Sequence, residues 1–164
     1  ICGGMQMLGQ ELEDPQRLEG GGSSRETGLG LLPLHTIFTD NKALRQRRSA
    51  ALWPQGNTPL RLEGFELHCG RTTASAPCDQ LCGEAELGWV KRFGVNGGLV
   101  AGTYLHGVFE SGPWRRRWLN QLRAAKGLPP LTEQQPHHSR QREALLDRLA
   151  DAFEEHINLE PLLR

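Results

Sequence analysis

Two residues of this chain carry the chemistry of a nucleophile and a base, Cys2 and His106. The cysteine stands in I-C-G-G, between an apolar residue and two glycines. This pattern is typical of a sharp strand-to-helix turn, in which the central side chain takes a strained backbone conformation and neighbouring glycines avoid Cβ clashes. The sulfur would lie at a helix N-terminus, which favours the nucleophilic thiolate. The N–H of Gly3 would then face the oxyanion formed when the thiolate attacks a carbonyl.

The histidine lies in GTYLHGVF, at a point where a strand gives way to a loop. Active sites of α/β proteins collect at strand ends on one edge of the sheet. A cysteine and a histidine that are distant in sequence but both at strand ends therefore fit a nucleophile and its base. The residues alone leave two alternatives open: Cys2 as a buried structural thiol beside a glycine turn, and His106 as a histidine bonded to backbone.

The elements around Cys2 are predicted from periodicity. Met5, Leu8 and Leu12 fall on one face of a short helix over residues 5–12. The Gly/Ser-rich segment 19–30 is predicted to be a loop. The stretch LLPLHTIF that follows has the β-branched and aromatic content of a strand.

The middle of the chain is predicted to be β-rich. Residues 60–70 alternate apolar and polar about Gly64, which suggests strands that bend at this glycine. The basic cluster 45–48 is interpreted as a solvated face. Asn96-Gly97-Gly98 is predicted to be a hairpin turn between GWVKRFGV and LVAGTYLHGVF, the latter a strand ending at His106.

Two helices close the chain. Pro113 suits a first helical turn, and the run that follows it ends at Gly127. The last helix, about 139–157, carries an apolar stripe with charges opposite. Both helices are predicted to pack on a sheet, which gives an α/β fold with a mixed sheet and C-terminal helices.

Composition limits the partners. The 164 residues fit one domain with its own core, and no boundary is apparent. Lys plus Arg equals Asp plus Glu at 19 each, so no basic field exists to attract nucleic acid or anionic lipid. Because no apolar run approaches the roughly 18 residues of a bilayer span and no leader is seen, we expect a cytoplasmic protein without a membrane partner.

Four cysteines, at positions 2, 69, 78 and 82, are expected to be free thiols. A zinc site built from His68, Cys69, Cys78 and Cys82 is the alternative, but the spacing departs from the paired C-x2-C hooks of such sites. We therefore expect no metal site.

Four ordered motifs carry a family resemblance: CGGMQMLG, ETGLGLLPLHTIF, GFELHCG and GTYLHGVFE. Together with the tail LLDRLADAFEEHINLEPLL, they resemble the class I glutamine amidotransferase domain of the cobyric acid synthases, enzymes of cobalamin biosynthesis. The resemblance implies a flavodoxin-like domain of which this chain is the C-terminal portion. The strands before the elbow and an ATP-dependent synthetase domain would be absent, so we expect the chain alone to be inactive.

The resemblance also implies roles for residues. Cys2 would attack the carboxamide of glutamine, and the γ-glutamyl thioester would be hydrolysed with His106 as base and acid. Gln6 matches the glutamine of the C-x-G-x-Q pattern and would contact the substrate. Glu66 and His68 match G-[YF]-E-[IL]-H-x-G and are placed near the pocket, with a solvent-facing strand residue as the alternative for Glu66.

One departure from the wider superfamily follows His106. Class I enzymes usually have a glutamate two positions later, where it would orient the imidazole; this chain has Val108. The cobyric acid synthases are similar in lacking it, and Glu110 is too far along to replace it. The third partner of the histidine therefore stays unassigned.

The family's full reaction amidates carboxylates of adenosylcobyrinic acid a,c-diamide, a corrinoid, with ammonia from glutamine and activation by ATP with Mg2+. No G-x4-G-K-[ST] occurs here, so ATP and Mg2+ are expected in the synthetase domain. The alternatives are a cobyrinic acid a,c-diamide synthase, the glutaminase partner of an isoglutaminyl synthase, a non-catalytic binding module, and a thiol-dependent hydrolase with the same elbow.

Overall fold

The computed structural model describes residues 1–20, 24–94 and 98–157. The chain forms two compact units, Ile1–Val108 and Phe109–Arg164, a division that the sequence did not predict. All candidate site residues belong to the first unit.

The first unit is built on a five-stranded sheet. Its strands are β1 (Glu11–Glu13), β2 (Arg25–Thr27), β3 (Leu34–Ala50), β4 (Arg61–Ala74) and β8 (Leu105–His106), in the order β2-β1-β3-β4-β8. The β1–β3 pair is parallel and the other neighbours are antiparallel. With the helices, this confirms the predicted α/β class and mixed sheet.

Strands β3 and β4 form the longest pairing of this sheet, interrupted by a register shift between Ile37 and Lys42. The predicted bend at Gly64 is wrong, because β4 runs through this position without a break. The glycine instead allows β4 and β8 to approach closely, because a Cβ there would lie 2.0 Å from the His106 carbonyl oxygen. The missing side chain therefore allows β8 to lie against β4.

A second, three-stranded sheet has the order β5-β6-β7 (Asp79–Gln80, Gly88–Arg92, Leu99–Thr103). Strands β6 and β7 pair antiparallel as predicted for a hairpin, while residues 95–97, which include most of the predicted turn, lie outside the described residues. The prediction of one strand ending at His106 is wrong in part. The strand is interrupted at Tyr104, where the chain passes from β7 in one sheet to β8 in the other.

Helix α1 spans Gly3–Leu8, which makes it earlier and shorter than predicted. Its end is set by the Gly-rich stretch that follows β2: the amides of Leu29, Leu32 and Gly30 bind the carbonyls of Met7, Leu8 and Gly9 at 2.7–2.8 Å. These carbonyls would have continued the helix, but they are satisfied by another segment. The predicted loop 19–30 is wrong in part, because it contains β2.

The second unit contains α2 (Gly112–Ala125) and α3 (His138–His156), close to the predicted bounds. Within it, Phe109 lies edge-on to the Trp114 and Trp118 rings. The predicted packing of the last helix on a sheet would join the two units and stays a prediction. Its apolar stripe is about half exposed, from Leu145 at 56% to Phe153 at 51%, and no residue of α3 is buried.

Candidate active site

Cys2 occupies a strained turn at the start of α1. Its backbone has φ 54° and ψ −122°, a region that a residue with a side chain rarely adopts and that persists only where the surroundings enforce it. Its amide is held by the Thr103 carbonyl of β7 at 2.9 Å. The Gly3 N–H forms no hydrogen bond within the described residues, which leaves a donor beside the thiol. The backbone thus has the geometry predicted for a nucleophile elbow.

The outer edge of β4 holds the side chains of α1. Pairing with β8 stops at Glu66, opposite Leu105. Beyond this point the carbonyls on the same edge accept from α1: Leu67 from the Cys2 thiol at 3.3 Å, and Cys69 from the Gln6 amide at 3.2 Å. One strand therefore fixes both side chains.

His106 lies beside the same strand. It pairs with Phe65, and the two rings stack with centroids 4.9 Å apart and planes 8° from parallel. Its Nε2 is buried and has no hydrogen-bond partner in the described part of the chain. Cys2 thus contacts β4 at Leu67, and His106 contacts the same strand at Phe65, two residues away. The thiol is bonded to a carbonyl and not to the imidazole. The nucleophile–base pairing stays a prediction.

Gln6 is only 6% exposed and its amide nitrogen is fully used. Nε2 donates to the Cys69 carbonyl at 3.2 Å and to the Tyr104 hydroxyl at 3.0 Å. Since an amide nitrogen has two hydrogens, only Oε1 is left for a ligand. A Cβ built on Gly3 would lie 3.8 Å from this oxygen, so the oxygen lies near the elbow.

Glu66 and His68 form a buried polar cluster with Arg47. The Glu66 carboxylate accepts from His68 Nε2 at 2.8 Å and from Arg47 at 2.6 Å, and Arg47 also pairs with Glu84 at 2.8 Å. Glu66 is 8% exposed, so the alternative of a solvent-facing residue is wrong. The interpretation of the cluster 45–48 as a solvated face is wrong for Arg47, which is partly buried in these ion pairs.

Burial on its own would raise the pKa of Glu66, but hydrogen bonds from His68 and Arg47 outweigh it and hold the pKa below its ordinary value. His68 Nδ1 lies 3.0 Å from the Gly70 carbonyl. Because both partners of the imidazole are acceptors, both ring nitrogens must donate for the two bonds to form together, as in the imidazolium.

This cluster does not complete a triad with His106. Successive side chains of a strand point to opposite faces, so Glu66 and His68 lie opposite Phe65, whose ring is the one that stacks on His106. They face a cavity of about 600 Å³ instead, lined also by Arg47, Tyr104 and parts of β3.

Tyr104 is a central residue of the site that sequence reasoning missed. It is 1% exposed, its ring stacks on His68 with centroids 3.5 Å apart, and its hydroxyl bonds both Gln6 and Thr72. The available signal was its position two residues before His106, where the sequence predicted only a strand ending at that histidine.

The cysteines outside the elbow are unpaired thiols. Cys78 and Cys82 donate to the separate carbonyls of Val90 and Glu84, and burial raises the pKa of each thiol. His68 is bound to Glu66 and Gly70 as described above, so the structure does not gather the alternative zinc ligands.

One group of three potential metal ligands occurs among the described residues: Glu11, Glu13 and His35. The guanidinium of Arg25 already pairs with both of its carboxylates. An arginine in contact with both anions does not fit a divalent cation at this place.

The class of protein follows from comparison with known families. The family described as the CobB/CobQ-like glutamine amidotransferase domain matches residues 1–114. The chain belongs to this family and has its class I glutamine amidotransferase fold.

Its relatives are more specific. The chain is 73% identical to the cobyric acid synthase of Synechococcus sp. (strain CC9311) and 66% identical to that of strain WH7803, each over 99% of this chain and 33% or 34% of the relative. It is 44% identical to the cobyric acid synthase of Rippkaea orientalis over 99% of this chain and 33% of the relative. The chain thus spans about a third of the length of the curated relatives it matches.

None of the helices in the described residues is both long and apolar enough to traverse a bilayer.

Proposed function

We propose that this chain carries the glutaminase centre of a cobyric acid synthase and works within a polypeptide of its relatives' length. The observation that carries the proposal is the backbone of Cys2, held at φ 54° at the first turn of α1. Such strain is kept where it serves a purpose, and here it presents a thiol beside the Gly3 N–H, which has no hydrogen-bond partner among the described residues. The names of the relatives support the choice of enzyme.

The reaction begins at the Cys2 sulfur. His106 takes the proton of the Cys2 thiol, the resulting thiolate attacks the side-chain carbonyl carbon of glutamine, a C–S bond forms, and the carbonyl oxygen takes the negative charge. The Gly3 N–H stabilises this oxyanion. The C–N bond then breaks, and His106 donates a proton to the nitrogen, which leaves as ammonia. Water attacks the thioester carbonyl carbon and His106 takes a proton from the water. The C–S bond then breaks, glutamate leaves, and His106 returns the proton to the Cys2 sulfur.

The thiol must move before it reacts. It donates to the Leu67 carbonyl, and a thiolate in that place would face the negative end of a dipole. The proposed mechanism requires the sulfur to leave this carbonyl by rotation about χ1 and to meet the imidazole, whose Nε2 has no partner in the described residues. We therefore expect the bound substrate to be accompanied by a different Cys2 rotamer.

The other residues of the motifs that resemble the family support this centre. Gln6 offers its Oε1 to glutamine near the elbow. Glu66 and His68 line the cavity behind Tyr104 and hold that wall of the site in place.

Ammonia is then used elsewhere in the longer protein. The relatives are named cobyric acid synthases. We propose, as the sequence resemblance implies, that the ammonia amidates carboxylates of a corrinoid, adenosylcobyrinic acid a,c-diamide, with activation by ATP and Mg2+ bound outside this chain. Cytoplasmic location follows from this proposal, since glutamine and ATP are available there. The cobyrinic acid a,c-diamide synthase and isoglutaminyl synthase alternatives would use the same glutaminase chemistry with another acceptor.

The test compares two nitrogen sources in the full-length protein. Cys2→Ala should abolish glutamine-driven amidation and leave amidation driven by added ammonia intact, because only the first needs the thioester. The matched control is Cys78→Ala, which removes the thiol directly before β5. This variant should retain both activities. Retention of glutamine-driven amidation in Cys2→Ala would refute the proposal.

Labelling by a glutamine-like chloroketone separates an enzyme from a binding module. Modification of Cys2 that free glutamine protects against supports catalysis. Absence of label on Cys2, with glutamine still bound, would indicate a non-catalytic module.

A further inference from the structure

The amide of Gln6 is joined to a line of buried hydroxyls. Tyr104 lies 3.0 Å from Gln6 Nε2 and 2.5 Å from the Thr72 hydroxyl, and Thr72 lies 2.7 Å from the Thr36 hydroxyl. These four polar groups belong to α1, the β7–β8 junction, β4 and β3. The line therefore ties the helix of the elbow to both long strands.

The direction of the hydrogen bonds of the Gln6 amide is fixed. The Cys69 carbonyl can only accept, so the Gln6 atom that faces it must be the nitrogen. The second N–H of that nitrogen then donates to the Tyr104 hydroxyl. That hydroxyl is also bonded to Thr72, and Thr72 to Thr36, with either oxygen able to donate in each pair. The flipped amide is excluded, because it would place its oxygen against the Cys69 carbonyl oxygen.

The position of the Tyr104 hydroxyl is itself tightly held. The ring is buried, stacks on His68 at 3.5 Å and 14° from parallel, and its backbone amide donates to Leu87 at 2.8 Å. Burial raises the pKa of Tyr104 against the opposing effect of its hydrogen bonds to Thr72 and Gln6, so the hydroxyl stays protonated at neutral pH. It is thus a fixed partner for the amide.

We propose that Tyr104 is a positioning residue that acts through Gln6. It holds the amide in the orientation that places Oε1, an acceptor, toward the elbow, where this oxygen receives an N–H of bound glutamine. This inference rests on the proposed function, since the ligand of Oε1 is the glutamine substrate.

The test is Tyr104→Phe in the full-length protein, which keeps the ring on His68 and removes the hydroxyl. Loss of one buried hydrogen bond that orients a substrate contact should lower kcat/KM for glutamine by about 5- to 10-fold. The loss should fall on KM, because the contact is made in the bound substrate as well as in the transition state. Amidation driven by added ammonia should not change.

A double-mutant cycle separates positioning from general structural support. Gln6→Leu removes the group through which Tyr104 acts, so adding Tyr104→Phe to it should cause a further change of less than about 2-fold. Thr72→Val removes the threonine hydroxyl that is bonded to the tyrosine hydroxyl, and it should also raise KM, by a smaller factor. Ser49→Ala removes a buried hydroxyl elsewhere on β3 and should leave the KM for glutamine unchanged.

Three results would overturn the inference: an unchanged KM in Tyr104→Phe, an equal loss of ammonia-driven amidation, or full additivity with Gln6→Leu. Failure of the proposed function is distinguishable from these, because it appears in Cys2→Ala as glutamine-driven activity that survives, whatever Tyr104 does.

Discussion

Gly64→Ala tests the idea that close contact between β4 and β8 places His106. A Cβ at this position would lie 2.0 Å from the His106 carbonyl oxygen and 3.0 Å from a methyl of Leu105, whereas ordinary contact begins at 3.4 Å. The methyl of Leu105 can turn aside, but the His106 carbonyl belongs to the backbone. The added carbon therefore pushes the backbone of β8 away by about 1.4 Å, the difference between 3.4 and 2.0 Å.

Two effects follow from that displacement. Overpacking of this size lowers the free energy of unfolding by about 1–3 kcal/mol. The imidazole moves with its backbone, and a misplacement of about 1 Å in a reacting group can cost about 100-fold in rate. We expect glutamine-driven amidation by the full-length protein to fall by about this factor, while ammonia-driven amidation is retained.

The matched control is Gly83→Ala, at which a Cβ would meet its nearest atoms at 3.7–3.9 Å, an ordinary distance. It should keep both activities. The assay is the initial rate of amidation with glutamine and with ammonium as nitrogen source, alongside hydrogen-exchange protection of the β4 amides. Wild-type glutamine-driven rates in Gly64→Ala would refute the idea that this contact sets the position of His106.

Three further predictions concern stability and the thiols. Leu62→Ala should lower the free energy of unfolding of β4 by about 2–5 kcal/mol, because this side chain is fully buried. The control Leu44→Ala, at a 69% exposed position, should have little effect, and hydrogen exchange of the β3 and β4 amides measures both variants. Because the pKa of Glu66 is lowered in the folded protein, its contribution to stability is complete above the ordinary carboxyl pKa and is lost as the pH falls through the folded value. Glu66→Gln should therefore reduce the loss of stability at acid pH, measured by hydrogen exchange over a series of pH values. An unchanged loss of stability at acid pH would contradict this linkage. Burial raises the pKa values of the Cys78 and Cys82 thiols, so iodoacetamide should alkylate them slowly at neutral pH and faster as the pH rises. Mass spectrometry of peptides measures the labelling, and rapid labelling at pH 7 would show that burial does not protect these thiols.

The sequence supports the elbow well because its signal is local. I-C-G-G requires one unusual backbone conformation at one residue, and the glycines that permit it are adjacent. The same is true of α2, which has Pro113 in its first turn and ends just before Gly127, as the backbone preferences of those residues predict. Predictions failed where a distant segment decided the outcome, as at the end of α1, which is closed by amides from residues 29–32.

The sequence likewise could not predict where two strands approach closely. Gly64 has the appearance of a bend because a glycine in a strand is compatible with either a bend or a near neighbour. Only the packing of β8 shows that it is the neighbour. The break at Tyr104, which divides a predicted strand between two sheets, has the same kind of origin, since alternation in sequence does not say which sheet a strand joins.

The sequence by itself determined the chemistry available to this protein: a thiol in a strained turn, an imidazole at a strand end, and a family signature. Tertiary structure alone decided which groups meet. It placed the Cys2 thiol on a carbonyl of β4, directed Glu66 and His68 away from the face of His106, and joined Gln6 to Tyr104. The physical reason is that backbone strain is a property of a few adjacent residues, whereas hydrogen bonds between strands depend on register and on segments tens of residues apart.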